Sequence, residues 1–135
     1  MRRDVKGAQN VSRMCIVCGV ENRFGLRGRF YTVDGGELVG VFQPQVEHQG
    51  YPGRMHGGMV SAILDETIGR ITRDSRRLFE GTGEIVLEDG TVAAEAQGKY
   101  MKMAVDEIAS QDFSDNEWFA DSRPLPAGID VGEGL

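Results

Sequence analysis

Residues 49–66 read QGYPGRMHGGMVSAILDE, and this stretch gives the strongest structural signal in the 135-residue chain. A segment containing glycine and proline leads into His56-Gly57-Gly58, and apolar residues then recur as far as Ile68. These apolar positions cover most of a helical circumference, so the pattern predicts a helix over Gly57–Gly69 that is buried on most sides. Gly69 is typical of a helix end, because glycine tolerates the backbone conformation that closes a helix.

Two hairpins are predicted on either side of this helix, because β-favouring runs flank a glycine-containing turn in each place. The order of hairpin, buried helix and hairpin predicts an α+β fold, in which an antiparallel sheet wraps around one apolar helix. The predicted strands are 29–33 and 37–42 around a turn at 34–36, and 78–87 and 91–103 around a turn at 89–90.

The length of the chain suits a single domain with one hydrophobic core. We expect residues 15–103 to form this domain, with a polar and mobile segment before it at residues 1–14. Residues 104–135 are acidic and rich in proline and glycine. We expect this tail to be partly disordered, apart from a short helix near residues 105–109.

The formal net charge of -6 argues against a general nucleic-acid-binding protein, which would usually be basic. Residues 104–135 contain eight acidic residues and one basic residue, Arg123, so most of the negative charge belongs to the tail. No apolar run approaches the roughly 20 residues that cross a bilayer. The basic start of the chain has no apolar signal segment after it, so we expect a cytoplasmic protein that binds neither nucleic acid nor membrane.

The start of the predicted helix suits a carbonyl oxygen that becomes negative during a reaction. The first amides of a helix have no intrahelical acceptors, and the helix dipole adds partial positive charge there. Gly57 and Gly58 have no side chains, so a ligand can approach their amides closely. These features indicate a candidate site for an oxyanion.

Asp65 and Glu66 are two carboxylates in an otherwise apolar helix. At 100° per residue, Asp65 lies within about 20° of the helix face that carries Gly58. Burying a carboxylate is costly, and we expect apolar surroundings to make Asp65 a stronger base. Glu66 lies instead on the side of Met59 and Ile63.

Cys15 and Cys18 form a Cys-x-x-Cys-Gly motif and are the two cysteines of the chain. A structural zinc site needs four ligands, and no second cysteine pair is present. His48 and His56 are eight residues apart, which is wider than the usual spacing of a histidine pair. A thioredoxin-like motif would be followed by a βαβ pattern, which the sequence lacks. We interpret the cysteines as reduced thiols in an N-terminal loop and infer no metal and no cofactor.

Several motifs together connect the chain to a known family. His-Gly-Gly at 56–58 is followed by a small or apolar run and then by Asp65-Glu66, nine residues after the histidine. Further motifs are C-x-x-C-G-x-x-N-x-x-G-L at 15–26, HQGYPG at 48–53, GTGE at 81–84 and A-x-G-K-Y at 96–100. With these motifs the chain resembles the hotdog-fold acyl-CoA thioesterases of the phenylacetate-degradation-type branch over about residues 15–103.

The resemblance implies a hotdog fold in a homodimer or homotetramer, with acyl-CoA as substrate and the active site at the subunit interface. The amides of Gly57 and Gly58 would hold the thioester carbonyl, and the partner subunit's Asp65 would activate water or attack directly. His56 would shape the helix start. The other candidate substrate-binding residues are Glu66, Met59, Arg73 and Arg76, with the two arginines facing the phosphates of CoA.

The chain departs from the family pattern in two places. The family often has Asn or Gln six residues before the histidine, whereas here Gly50 holds that position and Gln49 precedes it. About two strands also are missing between the helix and the last hairpin. Three explanations stay open: omission of a segment from the sequence, a natural internal deletion completed by a partner's sheet, and a poorly folding remnant.

Other interpretations also stay open. The chain is alternatively a non-catalytic acyl-CoA-binding or regulatory module, an inactive remnant or, less in keeping with its single helix-start histidine, a hydratase. Asp65 is alternatively an interface residue without chemistry, and Glu66 and His56 are alternatively structural partners at the helix. Arg73 and Arg76 are alternatively part of a solvated strand edge. Acyl-chain preference is not contained in the sequence, because the missing strands would line that part of the pocket.

Overall fold

The computed structural model describes residues 1–71, 77–109 and 113–132 and has an α+β architecture with antiparallel sheets and one main helix. This architecture is compatible with a hotdog-like fold. In chain order, the strands and α-helices of the described segments are β1 (Arg2–Ala8), β2 (Val11–Ser12), β3 (Arg29–Val33), β4 (Leu38–Val41), α1 (Gly57–Gly69), β5 (Leu78–Val86), β6 (Val92–Met101), α2 (Val105–Ile108), β7 (Trp118–Phe119) and β8 (Gly128–Asp130).

The two predicted hairpins and the predicted helix are confirmed. β3 pairs antiparallel with β4 around a 3-10 turn at Asp34–Gly36, and β5 pairs antiparallel with β6. Gly35 and Gly90 in the two turns have φ angles of 78° and 84°, a region that glycine adopts without strain. The bounds of α1 are the predicted Gly57–Gly69, and the short helix α2 lies inside the predicted 105–109.

The prediction of a mobile segment at residues 1–14 is wrong. β1 pairs antiparallel with β3 on one side and β8 on the other, in a sheet with the strand order β4-β3-β1-β8. The half-buried face of β1 carries Arg3, Val5 and Gly7, so the sequence shows no apolar alternation there. Arg3 forms ion pairs with Asp34 and Glu37 beside β3. Pairing with distant strands therefore orders a segment that has no local strand signal.

The described part of the acidic tail adds two strands that the sequence did not predict. β7 pairs with β2, and β8 pairs with β1. Asp121 also fixes the tail: its side chain is 1% exposed, and its carboxylate lies 2.9 Å from Arg29. Burial alone would raise the pKa of Asp121, but hydrogen bonds from Arg123 and Arg29 outweigh that effect and hold the pKa below its ordinary value.

The helix α1 lies directly against β5 because β5 has glycines at the contact. Ile68 and Leu64 of α1 are 2% and 6% exposed. A Cβ atom at Gly81 would lie 2.6 Å from Ile68 Cγ2, and one at Gly83 would lie 3.0 Å from Ile68 Cγ1. The GTG sequence at 81–83 thus permits an approach that larger residues would prevent.

A hydrophobic cluster on the other side of α1 joins the helix to the N-terminal loop and to β3. Trp118, Phe119, Phe42 and Met59 pack around it while partly exposed. The buried members of the cluster are Val11, Val17, Cys18, Leu26, Phe30 and Ile63. The loop that follows β2 is therefore part of the core and not a surface appendage.

A cleft of about 1230 Å³ separates the first sheet from the β5–β6 hairpin. Leu38 and Val41 of β4, Ile63 of α1 and Ile85 of β5 are among its lining residues. Within the described segments, β4 is an edge strand and β5 pairs with β6 alone.

None of the helices in the described segments is both long and apolar enough to cross a lipid bilayer.

Replacing Gly81 with alanine is expected to lower the free energy of unfolding by about 1–3 kcal/mol, because the new methyl group overlaps Ile68. The matched control is Gly7→Ala, where the new Cβ would lie at an ordinary 3.6 Å from Thr32 Oγ1. Urea unfolding followed by circular dichroism measures both variants. Equal stability of the two variants would show that α1 does not need the close approach to β5.

Candidate functional site

The start of α1 is exposed and is capped by its own histidine. His56 is the N-cap residue, and its Nδ1 accepts a hydrogen bond of 2.8 Å from the Gly58 amide. The Gly57 amide has no acceptor within the helix, because it belongs to the first helical residue. A Cβ atom at Gly57 would meet nothing within 4 Å, so this amide borders open space. Of the two predicted carbonyl-binding amides, the Gly58 amide is occupied by His56.

Asp65 lies on an exposed face of α1, so the expected apolar burial of this carboxylate is wrong for the single chain. Gly58, Ser61 and Gly69 share that exposed face with it. Most residues of α1 are apolar, but these small and polar residues recur at intervals of three or four. They therefore leave one stripe of the helix without apolar cover.

Tyr100 of β6 holds the Asp65 side chain and is a partner that was not among the predicted site residues. Its hydroxyl donates to Asp65 Oδ1 at 3.0 Å and lies 3.1 Å from the Asp65 carbonyl oxygen. The Tyr100 ring stacks on Phe79, with ring centroids 5.4 Å apart. Burial raises the pKa of Tyr100, and the hydrogen bond to Asp65 raises it further, so the phenol stays protonated as a donor.

Two glycines make room for the Tyr100 ring. A Cβ atom at Gly98 would lie 2.5 Å from Tyr100 Cε2, and one at Gly69 would lie 3.3 Å from Tyr100 Cε1. Tyr100 therefore lies across the end of α1, beside Asp65. The G-K-Y motif at 98–100 contained the signal for this contact, since a glycine two residues before a tyrosine on a strand shares its face.

Gln49, His56 and Met59 are brought together by the structure. They line an open depression of about 420 Å³ at the start of α1, with Ile16 and Phe24 providing apolar surface. Glu47 and His48 complete the lining. Three of the predicted site residues therefore share one surface, next to the exposed Gly57 amide.

Asp65 lies away from this depression. Eight residues of helix separate Gly57 from Asp65, which corresponds to about 12 Å along the axis. Gln49 is likewise committed locally, since its Oε1 accepts a hydrogen bond of 3.3 Å from the Gly53 amide. One copy of the chain therefore does not bring the helix-start amide and the Asp65 carboxylate to the same bond.

Glu66 faces the interior and not the candidate substrate surface. Its Oε1 accepts hydrogen bonds from Arg70 at 2.7 and 3.1 Å, and its Oε2 accepts one at 3.4 Å from Cys15 Sγ while that thiol is protonated. The predicted substrate-binding role of Glu66 is therefore not supported by its position in the single chain. Arg73 and Arg76 lie outside the described residues.

Cys15 and Cys18 are free thiols that the structure places next to Glu66. A hydrogen bond with Cys18 lowers the pKa of Cys15 to about 6, because the donated proton stabilises the Cys15 thiolate. The Val17 amide donates to the same sulfur at 3.3 Å. The hydrogen bond to Cys15 and burial both raise the pKa of Cys18. Cys15 is therefore the more acidic and the more accessible thiol of the two.

No metal was inferred for the cysteines, because the sequence has no second cysteine pair and its two histidines are too widely spaced. His48 is committed elsewhere, since it accepts a hydrogen bond from the Gln45 amide and contacts the Phe24 carbonyl oxygen. The third donor is Glu66, which α1 brings to the cysteine loop from far along the chain. Sequence spacing contains no signal for such a contact.

Comparisons with known proteins give no relative for this arrangement: no family model, no curated protein and no solved structure matches the chain.

Alkylation of Cys15 in the folded, reduced chain is expected to show a pH midpoint of about 6. The midpoint in Cys18→Ala should move upward toward the ordinary thiol value of about 8.5, because the variant lacks the sulfhydryl donor. Mass spectrometry after timed iodoacetamide treatment measures both midpoints. The urea-unfolded chain is the control at about 8.5, and a folded midpoint at that value would contradict the assignment.

The lowered pKa of Cys15 also makes the stability of the fold depend on pH. Because the folded-state pKa of Cys15 is depressed to about 6, its contribution to folding is fully present above the unfolded value. That contribution is lost as the pH falls through about 6.

Proposed function

We propose that the chain is a subunit of an acyl-CoA thioesterase that hydrolyses a thioester to the free acid and CoA. The observation that supports this proposal most directly is the Asp65 carboxylate, held by the Tyr100 hydroxyl on an exposed face of α1. The same helix begins with an exposed His-Gly-Gly turn beside an apolar depression. The motifs that resemble hotdog thioesterases supply the reaction class.

The helix start is the group that would bind the carbonyl oxygen of the thioester. The Gly57 amide has no intrahelical acceptor, and the helix dipole favours negative charge at this end. Both effects grow as the carbonyl oxygen becomes an oxyanion, so they stabilise the transition state more than the substrate. Ile16, Phe24 and Met59 offer apolar contact to the acyl group in the adjoining depression.

Asp65 would activate the water molecule that attacks the carbonyl carbon. In the general-base route, its carboxylate takes a proton from water while the water oxygen bonds to that carbon. The carbon–sulfur bond then breaks as Asp65 returns this proton to the sulfur, so CoA leaves as a thiol and the Asp65 carboxylate is regenerated. Tyr100 donates to Oδ1, which fixes the carboxylate and leaves Oδ2 for the water.

Two copies of the chain are required by this proposal. The helix start and Asp65 are about 12 Å apart along one helix, which is too far for both to contact one thioester. The exposed stripe begins with Gly58 and Ser61, which offer little side-chain bulk, so a second helix could approach this part of α1 closely. The partner subunit's Asp65 would then complete the site around Gly57.

A non-catalytic acyl-CoA-binding module is the second candidate. It is favoured by the hydrogen bond between His56 and the Gly58 amide, which removes one of the two expected carbonyl donors. Calorimetric binding of acyl-CoA to the folded chain, without release of a free thiol, would identify this function.

Asp65→Asn is expected to keep the fold and to lower turnover of an acyl-CoA by roughly 10²–10⁴-fold, because the amide cannot accept the proton. A thiol-release dye follows CoA production across a panel of acyl chains. Asp106→Asn, at an exposed position of α2, is the matched control and should retain full turnover. Full turnover in a folded Asp65→Asn protein would remove Asp65 from the mechanism.

Tyr100→Phe tests whether the Tyr100 hydroxyl positions the Asp65 carboxylate for catalysis. Loss of the hydroxyl leaves Asp65 in place but free to rotate, so we expect kcat to fall about tenfold with little change in KM. Steady-state kinetics over a range of pH measure this variant. An unchanged kcat and pH profile would show that the hydrogen bond is only structural.

A further inference from the structure

The side chains of Cys15, Cys18 and Glu66 form a cluster that the proposed hydrolysis does not use. One donor atom from each, the two Sγ atoms and a carboxylate oxygen, all lie within 4.8 Å of one another. Cys15 Sγ and Glu66 Oε2 are 3.4 Å apart. Tetrahedral zinc with ordinary bond lengths holds a sulfur and an oxygen ligand about 3.5 Å apart. The distance between Cys15 and Glu66 therefore fits a tetrahedral site, and Cys18 Sγ lies within 4.8 Å of both other donor atoms.

We propose that Cys15, Cys18 and Glu66 bind a thiophilic divalent cation of the Zn²⁺ class, with a water molecule as the fourth ligand. Two thiolates select a soft or borderline cation over Mg²⁺ and Ca²⁺, which prefer sets of oxygen ligands. Three protein ligands and one open position form a recognised zinc coordination pattern. This proposal is independent of the proposed thioesterase activity.

The cysteine loop is held in shape before any cation binds. The Gly19 amide donates to the Cys15 carbonyl oxygen at 2.8 Å, which closes the turn between the two thiols. A Cβ atom at Gly19 would lie 2.4 Å from that oxygen, so the turn requires glycine. Ser12 Oγ accepts from the Cys15 amide at 3.1 Å and lies 3.6 Å from Cys18 Sγ. These contacts restrict the Cys15 backbone and the position of Cys18 Sγ.

Arg70 orients the third ligand. It binds Glu66 through Oε1, so Oε2 is the oxygen that faces the thiols. Arg70 is itself fixed, since it donates to the Asn10 carbonyl oxygen at 2.7 Å and lies 3.9 Å from the centre of the Phe30 ring. A carboxylate held on one oxygen by a buried arginine is pre-organised to offer the other oxygen.

The charges of the cluster balance when a dication is present. Two thiolates and the Glu66 carboxylate carry three negative charges, and Arg70 with the cation carries three positive charges. Cys18 is 1% exposed, so an uncompensated thiolate there would be costly. A bound cation also links the cysteine loop to α1, and we therefore expect it to raise the unfolding temperature.

Co²⁺ titration of the chelator-treated chain, reduced with a phosphine, tests the proposal. We expect one Co²⁺ per chain, a sulfur-to-cobalt charge-transfer band with tetrahedral d–d absorption, and loss of both when Zn²⁺ is added. Glu66→Gln should weaken Co²⁺ binding at least about tenfold. The matched control Glu88→Gln, at an exposed turn position, should bind as the wild type does.

Cys15→Ser provides a second test that does not disturb the ion pair between Glu66 and Arg70. It should lose part of the charge-transfer intensity and at least about tenfold in Co²⁺ affinity, with the fold checked by circular dichroism. Absence of the band in the reduced wild type overturns the proposal, and so does equal affinity of Glu66→Gln and Glu88→Gln. If both thiols are ligands, oxidising them to a Cys15–Cys18 disulfide must release the bound Co²⁺. A disulfide that forms in the Co²⁺-loaded chain without release of Co²⁺, detected by mass spectrometry, also counts against the proposal.

Discussion

The ion pair between Glu66 and Arg70 is the contact on which the arrangement of the molecule depends. Arg70 follows the end of α1, and its guanidinium lies over the rings of Phe30 in β3 and Trp118 in β7. It also reaches the backbone after β1 through Asn10. One largely buried cation therefore joins the main helix to the first sheet, the N-terminal segment and the tail. Removing Glu66 would leave that cation without its carboxylate, which is expected to weaken the packing of these parts.

Local patterns were sufficient for the elements that are made by neighbouring residues. The glycine-containing turns and the apolar run fixed both hairpins and the limits of α1. β1 and β8 could not be predicted, because Arg2–Ala8 is ordered by strands that lie far away in sequence. The exposure of Asp65 was missed for a different reason: burial depends on which helix face the sheet covers, and composition does not contain that information.

The candidate site shows the same division. His56, Gly57 and Gly58 lie together because they are consecutive, and the sequence was enough to place them at the helix start. Tyr100 and Glu66 acquire their partners only through packing: the first crosses α1 beside Gly69, and the second meets a cysteine loop. Contacts between residues that are distant in sequence therefore could be identified only from the packed sheet and helix.

The pairing of β1 with β8 affects how the chain can fold during synthesis. Arg2 lies opposite Asp130, so β1 is completed by a strand that is synthesised much later. Contacts of such high sequence separation slow folding, because a long loop must close before the pairing stabilises it. Until β8 emerges from the ribosome, one edge of β1 stays open to other chains. Between the synthesis of β1 and that of β8, this edge can therefore mispair with another chain.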